Sequence, residues 1–479
     1  MAYQNPPGVN DLLPATAFGI QHIIRAASDL FGRYGYRYVE TPLFEKTEVF
    51  TRGIGEATDI VGKEMYYVFP MSSIEKAVAE ATGAAFVGTT APGRPQPIAE
   101  ATGAAFVGTT APGRPQSIAE ATGAAAITSL SGLALRPEGT AGTARAVVQH
   151  NLFSPGAPTT KLWYAGSMFR HERQQKGRYR EFRQIGAECF GATEPSADAE
   201  VIIMLMGFFE ALGIPRSKMV LKVNSMGDDT CRPLFQTAVK DFILARKDEF
   251  CPECLRRAST NPLRAFDCKS PSCQTALESS PRITDFLCEE CSSQYAVVRD
   301  LLAASGLTFE EDHRLVRGFD YYTRTVFEVQ VDSGLGSQNA IGGGGRYDGL
   351  LEQYGAKHTP SLGFAVGLER ILMVLEAEGV APALPAVARV FVAAACEEAR
   401  LAAFALASEL REAGVSIELD HQGRSLKSQF KAADKLEVDY TVVIGPDEIA
   451  QGCFTLRTMS DGTQQSLTRE ELFEYLRLN

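Results

Sequence analysis

Apolar residues recur at three- and four-residue spacing through Ile20, Ile23, Ile24, Ala27, Phe31 and Tyr34, which predicts one amphipathic helix over residues 19–35. Pro14 stands before it and Gly35 after it, the asymmetry of helix starts and stops. The pattern then becomes extended over Tyr36–Glu45, with Pro42 inside the run. Proline cannot donate to a strand ladder, so this strand is expected at a sheet edge or an interface. Strand-like runs return at Lys161–Phe169 and Arg180–Phe190, with a polar loop between them. Residues 221–312 change to a mixed helical pattern, and 315–375 hold two strand-like stretches, a glycine cluster and a helix. Ala377–Pro385 reads as a linker. Beyond it, Ala388–Ala394, Glu397–Ala413, Val415–Leu419, Leu426–Lys435 and Val438–Ile444 alternate strand, helix, strand, helix, strand. That alternation predicts a small α/β domain with a mainly parallel or mixed sheet.

An internal repeat interrupts this pattern. Glu80–Gln96 recurs as Glu100–Gln116, and Glu120–Ala125 begins a third copy, a period of 20 residues. Two and a fraction copies are too few to bury a solenoid core. The expectation is a surface insertion grown by tandem duplication, without a part in the chemistry.

Length and charge narrow the class. A chain of 479 residues suggests roughly three domains. Its 47 basic and 58 acidic residues give a net charge of −11. This excludes a globally basic nucleic-acid binder but not a local basic patch. The longest apolar runs, such as Ile202–Phe209, are far too short for a membrane span, and the N-terminal residues lack a signal-peptide pattern. Ten cysteines in such a chain point to reduced thiols or metal ligands in the cytosol.

The densest chemistry lies at Phe169–Glu188. Between Arg170 and Arg183 stand six Arg or Lys against two Glu, a local excess of positive charge suited to polyphosphate or a nucleic-acid end. On the strand that follows, Phe182, Gln184, Gly186 and Glu188 share one face. An aromatic, an amide and a carboxylate there flank a glycine that leaves room for a ligand; a purely structural face would be apolar. Leu135–Ala141 ends a strand with Glu138 and Thr140, a carboxylate and a hydroxyl suited to an ammonium group. Leu315–Thr325 offers Arg317 and Tyr322 beside the glycine cluster in Ala340–Asp348, where backbone can approach a ligand closely. The cluster is not a strand–GxGxxG–helix unit, so it gives no dinucleotide-binding fingerprint. Gly363–Met373 runs a short strand into a helix and sets Arg370 in its first turn, where anions are favoured.

Six cysteines lie between 251 and 291: two CxxC pairs, Cys251 with Cys254 and Cys288 with Cys291, and between them Cys268 and Cys273. The pairs are the candidate ligands of a structural zinc, with Cys268 and Cys273 as alternatives and reduced core thiols as the competing reading. The 33 residues separating the pairs exceed the usual ribbon gap. His22, His150, His313, His358 and His421 show no ligand spacing, and His171 alone sits in a functional segment.

These segments together resemble the histidyl-tRNA synthetases, a family of class II aminoacyl-tRNA synthetases. The first helix with the Pro42 strand is similar to the dimer-forming first class II motif, FRHE to the second and GLER to the third. LVRGFDYYTRTVFEV and GGGGRYDGL resemble the two segments particular to the histidine enzymes. The resemblance implies an α+β fold: a class II antiparallel sheet flanked by helices, with an insertion domain and a C-terminal α/β anticodon-binding domain. The expected boundaries are 1–220 for the first catalytic part (repeat insertion at about 71–130), 221–312 for the insertion domain, 313–380 for the second catalytic part and 387–479 for the anticodon-binding domain.

The implied activity is activation of L-histidine by ATP with Mg²⁺, then transfer to tRNA(His), by a cytoplasmic homodimer. Carried over, Arg170 holds the α-phosphate, Glu172 lies near the adenine amino group, Phe182 stacks on the ring, and Arg178 and Arg370 complete the ATP site. Glu138, Gly139 and Thr140 hold the substrate ammonium, and Gln184 places the carboxylate. Glu188, Tyr321 and Tyr322 read the imidazole, and Arg317 is the catalytic cation. The rival readings are a histidine-binding regulatory subunit of ATP phosphoribosyltransferase that charges no tRNA, a class II synthetase for another amino acid, and a plain tRNA-binding module.

Overall fold

The computed structural model describes residues 3–55, 58–69, 132–154, 156–173, 175–336 and 339–478, so the repeat and the insertion expected at 71–130 lie outside the described residues. The chain divides into two compact units, Met1–Pro382 and Ala383–Asn479. Among the described residues no helix is long and apolar enough to cross a membrane.

Helix α1 (Pro14–Arg33) starts on its proline and buries Ile20, Ile23, Ala27 and Phe31. The Phe31 ring meets Trp163, Phe208 and Phe364 at 5.9, 5.3 and 5.7 Å. The extended run expected over Tyr36–Glu45 does not form one strand. It splits into β1 (Arg37–Tyr38) and β2 (Phe44–Lys46), which belong to different sheets, with Pro42 in the irregular stretch between them. The missing proline N–H explains the break. Helix α2 (Thr47–Ile54) follows, and β3 (Tyr67–Val68) and β4 (Leu133–Leu135) complete a small sheet of order β2-β4-β3. Helix α3 (Thr140–Gln149) continues from it.

The hairpin β5 (Thr160–Phe169) and β6 (Glu181–Phe190) is the heart of the large sheet. Helix α4 (Ser196–Ala211) is apolar on nearly every side and is correspondingly buried. Next come β7 (Met219–Ser225), α5 (Cys231–Ala245), α6 (Pro252–Thr260), α7 (Pro271–Leu277) and α8 (Glu289–Ala304). The chain re-enters the sheet through β8 (Glu310–Glu311), β9 (Thr323–Val331), β10 (Ala340–Arg346) and β11 (Ser361–Gly367), then ends the unit with α9 (Leu368–Ala377). The eight strands run in the order β1-β5-β6-β11-β10-β9-β7-β8. All neighbours are antiparallel except the two outermost pairs. Because β7 belongs to this sheet, the boundary expected at 221 falls inside a strand. Residues 226–316 nevertheless gather a small core of their own around Phe235, Val239, Phe250, Phe266 and Leu277.

The glycine cluster forms β10, a central strand of the sheet. A Cβ on Gly343 would lie 2.6 Å from the Phe327 carbonyl oxygen, and one on Gly344 1.9 Å from that of Gly363. Neighbouring backbone fills the space a side chain would need. At the end of β10, Arg346 is buried and saturated: it pairs with both oxygens of Asp198, lies 3.3 Å from Asp348 and donates to the Ala192 carbonyl at 2.6 Å.

In the second unit, β12 (Val390–Ala394), α10 (Arg400–Glu412), β13 (Ile417–Leu419), α11 (Leu426–Lys435) and β14 (Tyr440–Ile444) alternate as the patterning predicts. Helix α12 (Pro446–Gln451), strands β15 (Cys453–Thr458) and β16 (Gln464–Thr468) and helix α13 (Arg469–Leu478) follow. The sheet order is β13-β12-β14-β15-β16, parallel among the first three strands and antiparallel beyond.

Arg346→Ala leaves the Asp198 carboxylate buried without its partner, and the expected loss is roughly 3–5 kcal/mol. The measurement is the urea midpoint of the first unit, which drops in the variant; an unchanged midpoint would show that the pair contributes no net stability.

Candidate active site

The site forms where β6, β10 and β11 lie side by side. In the strand register Glu188 stands opposite Gly363, and Gly363 opposite Gly345. The Glu188 carboxylate lies over Gly363, where a Cβ would meet its Oε2 at 1.9 Å. Burial without hydrogen bonds would be costly for this group, and three hydroxyls meet it. Thr140 Oγ1 donates to Oε1 at 2.7 Å, Tyr164 Oη to Oε1 at 3.2 Å, and Tyr347 Oη to Oε2. Burial dominates over these bonds and pushes the Glu188 carboxyl up to about 8, with the neighbouring Glu138 charge adding to the rise.

Glu138 is also fully buried, and burial raises its pKa. Its two oxygens accept the Thr140 and Ala141 backbone N–H groups, each at 2.7 Å, at the start of α3. The room that Gly186 leaves on β6 is taken by a side chain of the chain itself. Tyr164, opposite Gly186 in the hairpin, fills it, and a Cβ on Gly186 would lie 2.2 Å from the Tyr164 oxygen. The same ring covers Gly139. Gln184 is buried nearby with its Oε1 lacking any partner.

The cations line the same region. Arg170 donates from Nε to the Pro137 carbonyl at 2.8 Å and lies 5.1 Å over the Phe182 ring and 5.8 Å over Phe319. Glu172 sits between Arg170 at 3.6 Å and Arg178 at 3.1 Å. Arg317 pairs with Glu328 on β9 at 2.8 Å and lies 5.8 Å from the Tyr322 ring centre. Its Nε is buried without a partner. Arg370 donates to the Ala340 carbonyl from Nε and Nη2 at 3.0 and 2.7 Å, and its stem faces Gly177 of the β5–β6 loop. Glu369 joins this helix start to the hairpin by accepting the Arg183 N–H at 2.9 Å. Tyr321, Tyr322 and Tyr347 pack as a ring cluster with centroids 4.6 to 6.4 Å apart.

The residues read from sequence thus gather in one region, and Tyr164, Tyr347 and Glu328 join them there. The phenols bonded to Glu188 are Tyr164 and Tyr347, not Tyr321 or Tyr322. Tyr164 was legible in principle, because the hairpin register alone sets it across from Gly186. Glu328 carries no sequence signal beyond its place in a strand.

The four cysteines read as one zinc site, Cys251, Cys254, Cys288 and Cys291, do not converge. The first pair meets Cys268 and Cys273, and the second meets Cys231 and Asp228. The connection between the pairs folds through α6 and α7, so each pair opens a different helix and faces different neighbours.

The histidyl-tRNA synthetase family model matches residues 8–64, 119–241 and 269–371. The chain belongs to the histidyl-tRNA synthetase family. An anticodon binding domain model matches residues 388–479. The histidine–tRNA ligase of Streptomyces coelicolor is 40% identical over 98% of this chain and 96% of its own length. The apo histidyl-tRNA synthetase of S. aureus superposes with a TM-score of 0.73 at 29% identity, covering 99% of this chain and all of that one. A structure titled as an ATP phosphoribosyltransferase regulatory subunit/histidyl-tRNA synthetase, from Bacillus halodurans, shares the fold at a TM-score of 0.56 and 18% identity over 93% of this chain and 99% of that one. The family match omits residues 65–118, which contain most of the repeat, and 242–268.

Tyr347→Phe removes one donor to Glu188, so its carboxyl should rise further above about 8, by roughly one unit or about 1.4 kcal/mol. Carboxyl infrared titration measures this, and an unmoved or lowered value would show that Tyr347 does not serve the ionised form.

Proposed function

We propose that this pocket binds L-histidine and ATP, that the chain joins them as histidyl-adenylate, and that it passes the histidyl group to tRNA(His). Family membership supports the ligase activity over the full chain. The observation that carries the reading of the site is Glu188, a buried carboxyl that accepts from three hydroxyls.

A histidine carboxylate oxygen attacks the α-phosphorus, the bond to the bridging oxygen of pyrophosphate breaks, and pyrophosphate leaves. Two anions must approach each other, so the protein's contribution is fixed positive charge and placement rather than a base. Arg170 and Arg317 take the α-phosphate from two directions, Arg370 and Arg178 the outer phosphates. Phe182 and Glu172 receive the adenine. Glu138, with Gly139 and Thr140, holds the substrate ammonium, and Gln184 places the reacting carboxylate. Glu188 with the surrounding phenols, among them Tyr321 and Tyr322, reads the ring. A neutral imidazole carries one donor and one acceptor, and a ligand lacking either leaves buried groups unpaired. Mg²⁺ accompanies the phosphates and prefers carboxylate oxygens. Glu328, already beside Arg317, fits that donor set. The ion would neutralise charge on adjacent phosphates.

The C-terminal unit is the natural anticodon reader, and the reaction belongs in the cytoplasm. The segment around Pro42 supports a homodimer. Val39–Pro42, Lys46, Arg145 and His150 line a groove of about 690 Å³. Tyr38, Leu43, Phe44 and Leu152 stand exposed on these same segments. Equilibrium sedimentation giving a monomer at micromolar concentration would remove that part of the proposal. The regulatory-subunit alternative leaves the arginines and the second unit without a task.

ATP–pyrophosphate exchange with each amino acid in turn, tRNA absent, should respond to histidine alone. Histidine binding without any exchange would favour the regulatory reading. Arg317→Ala should lose roughly 3 kcal/mol of transition-state stabilisation, about a hundredfold in rate; unchanged exchange would refute its catalytic role. The pH dependence follows from the Glu188 carboxyl at about 8. Below that pH the empty pocket already holds the proton shared with a neutral ring. Above it each pH unit requires proton uptake, so KM for histidine rises about tenfold per unit. Glu188→Gln should abolish this difference, which separates Glu188 from the titrating amino group of the substrate. Parallel profiles in the two proteins would sink the assignment.

A further inference from the structure

Residues 226–316 carry the second concentration of chemistry in the chain, and the adenylation reading does not use it. Seven cysteines lie there, all as free thiols. In one cluster the sulfurs of Cys251, Cys254, Cys268 and Cys273 all lie within 4.8 Å of one another. In another the same holds for the sulfurs of Cys231, Cys288 and Cys291 and a carboxylate oxygen of Asp228. The Cys251 and Cys268 sulfurs are 3.8 Å apart. A tetrahedron with metal–sulfur bonds of about 2.3 Å has an edge of about 3.8 Å. A disulfide needs about 2.05 Å.

Reduced thiols packed as small apolar groups would not need polar partners, but these have them. The Cys251 N–H donates to Cys273 Sγ at 3.2 Å and the Ser270 N–H to Cys268 Sγ at 3.4 Å. The Cys288 N–H donates to Cys231 Sγ at 3.0 Å and the Cys291 N–H to Cys288 Sγ at 3.5 Å. Backbone donors aimed at sulfur are what orients and stabilises thiolate ligands. Asp228 Oδ1 accepts from the Thr230 and Cys231 N–H groups, while Oδ2 faces Cys288 Sγ at 3.7 Å. The two clusters share one plan: a CxxC pair whose first member caps a helix, α6 or α8, and two further ligands brought in from another segment.

We propose that Cys251, Cys254, Cys268 and Cys273 bind one structural zinc ion, and that Asp228, Cys231, Cys288 and Cys291 bind a second. The energetic need is plain. Helices of seven and nine residues, α7 and α6, cannot hold themselves, and the core around Phe235 is small, so cross-linking metals supply what burial does not. Three of the first cluster's ligands lie at 251–268, within the stretch that the family match omits.

The clusters also bear on the loop after Arg317. Arg232, next to Cys231, donates to the Asp320 carbonyl at 3.4 Å and to that of Tyr322. Arg264, between the ligands of the first cluster, donates to the Gly318 carbonyl at 2.8 Å and to Asp320 at 3.2 Å. Both ions therefore brace the segment that carries Tyr321 and Tyr322.

The test uses the full chain, purified from zinc-supplemented cells under reductant and without a metal-affinity step. Elemental analysis should find about two zinc ions per chain, and Cys273→Ser and Cys231→Ser should each retain about one. Cobalt-substituted wild-type protein should show thiolate-to-cobalt charge transfer with tetrahedral visible bands, a readout that needs no variant to fold. A wild-type content of one ion or fewer, a variant that still holds about two ions, or iron in place of zinc would overturn the proposal. None of these readouts depends on the aminoacylation reading.

Discussion

The central constraint on the first unit is a carboxylic acid placed inside an eight-stranded sheet. Glu188 has no exposed surface, so its oxygens must find donors, and the surrounding structure is arranged to provide them. Gly363 on the adjacent strand clears the volume the carboxylate occupies, and Tyr164 and Tyr347 reach it from β5 and from the end of β10. Tyr347 is held in turn by its neighbour Arg346, whose ion pair with Asp198 anchors the end of β10 to α4. Removing solvent from Glu188 is also what sets its proton affinity.

Around this acid the cations are stored in partial pairs. Arg170 and Arg178 share Glu172, Arg317 leans on Glu328, and Arg370 donates to a backbone carbonyl. Such contacts fix the position of each guanidinium. Arg317 Nε and Gln184 Oε1 are buried there without a partner.

Periodicity in the sequence foretold the elements well where one face is buried and the other is not. The α1 stripe, the β5–β6 hairpin and the alternating C-terminal unit all follow from it. It failed at Pro42, where local chemistry divides one extended run between two sheets, and it left Gly342–Gly345 unassigned, where a central strand formed. In both places the deciding fact is what the neighbouring backbone does, and no window along the chain contains it. Joining the two CxxC pairs in one site failed for the same reason, although Cys268 and Cys273, the alternatives, do meet the first pair; spacing says that two sulfurs can clasp an ion but not which two others will meet them.

The sequence by itself determined the kinds of residue available: a basic loop followed by a strand face of aromatic, amide and acid, arginines at a helix start and beside two tyrosines, and cysteines in pairs. Those choices are local, and they were enough to name the family resemblance. Only the tertiary structure decided who stands next to whom. It gave Glu188 the hydroxyls of Tyr164 and Tyr347, filled the space over Gly186 with a ring, and sorted the sulfurs into two clusters. Contacts between residues more than a hundred positions apart, such as Tyr347 with Glu188, depend on sheet order and register, which are set by the packing of the whole unit.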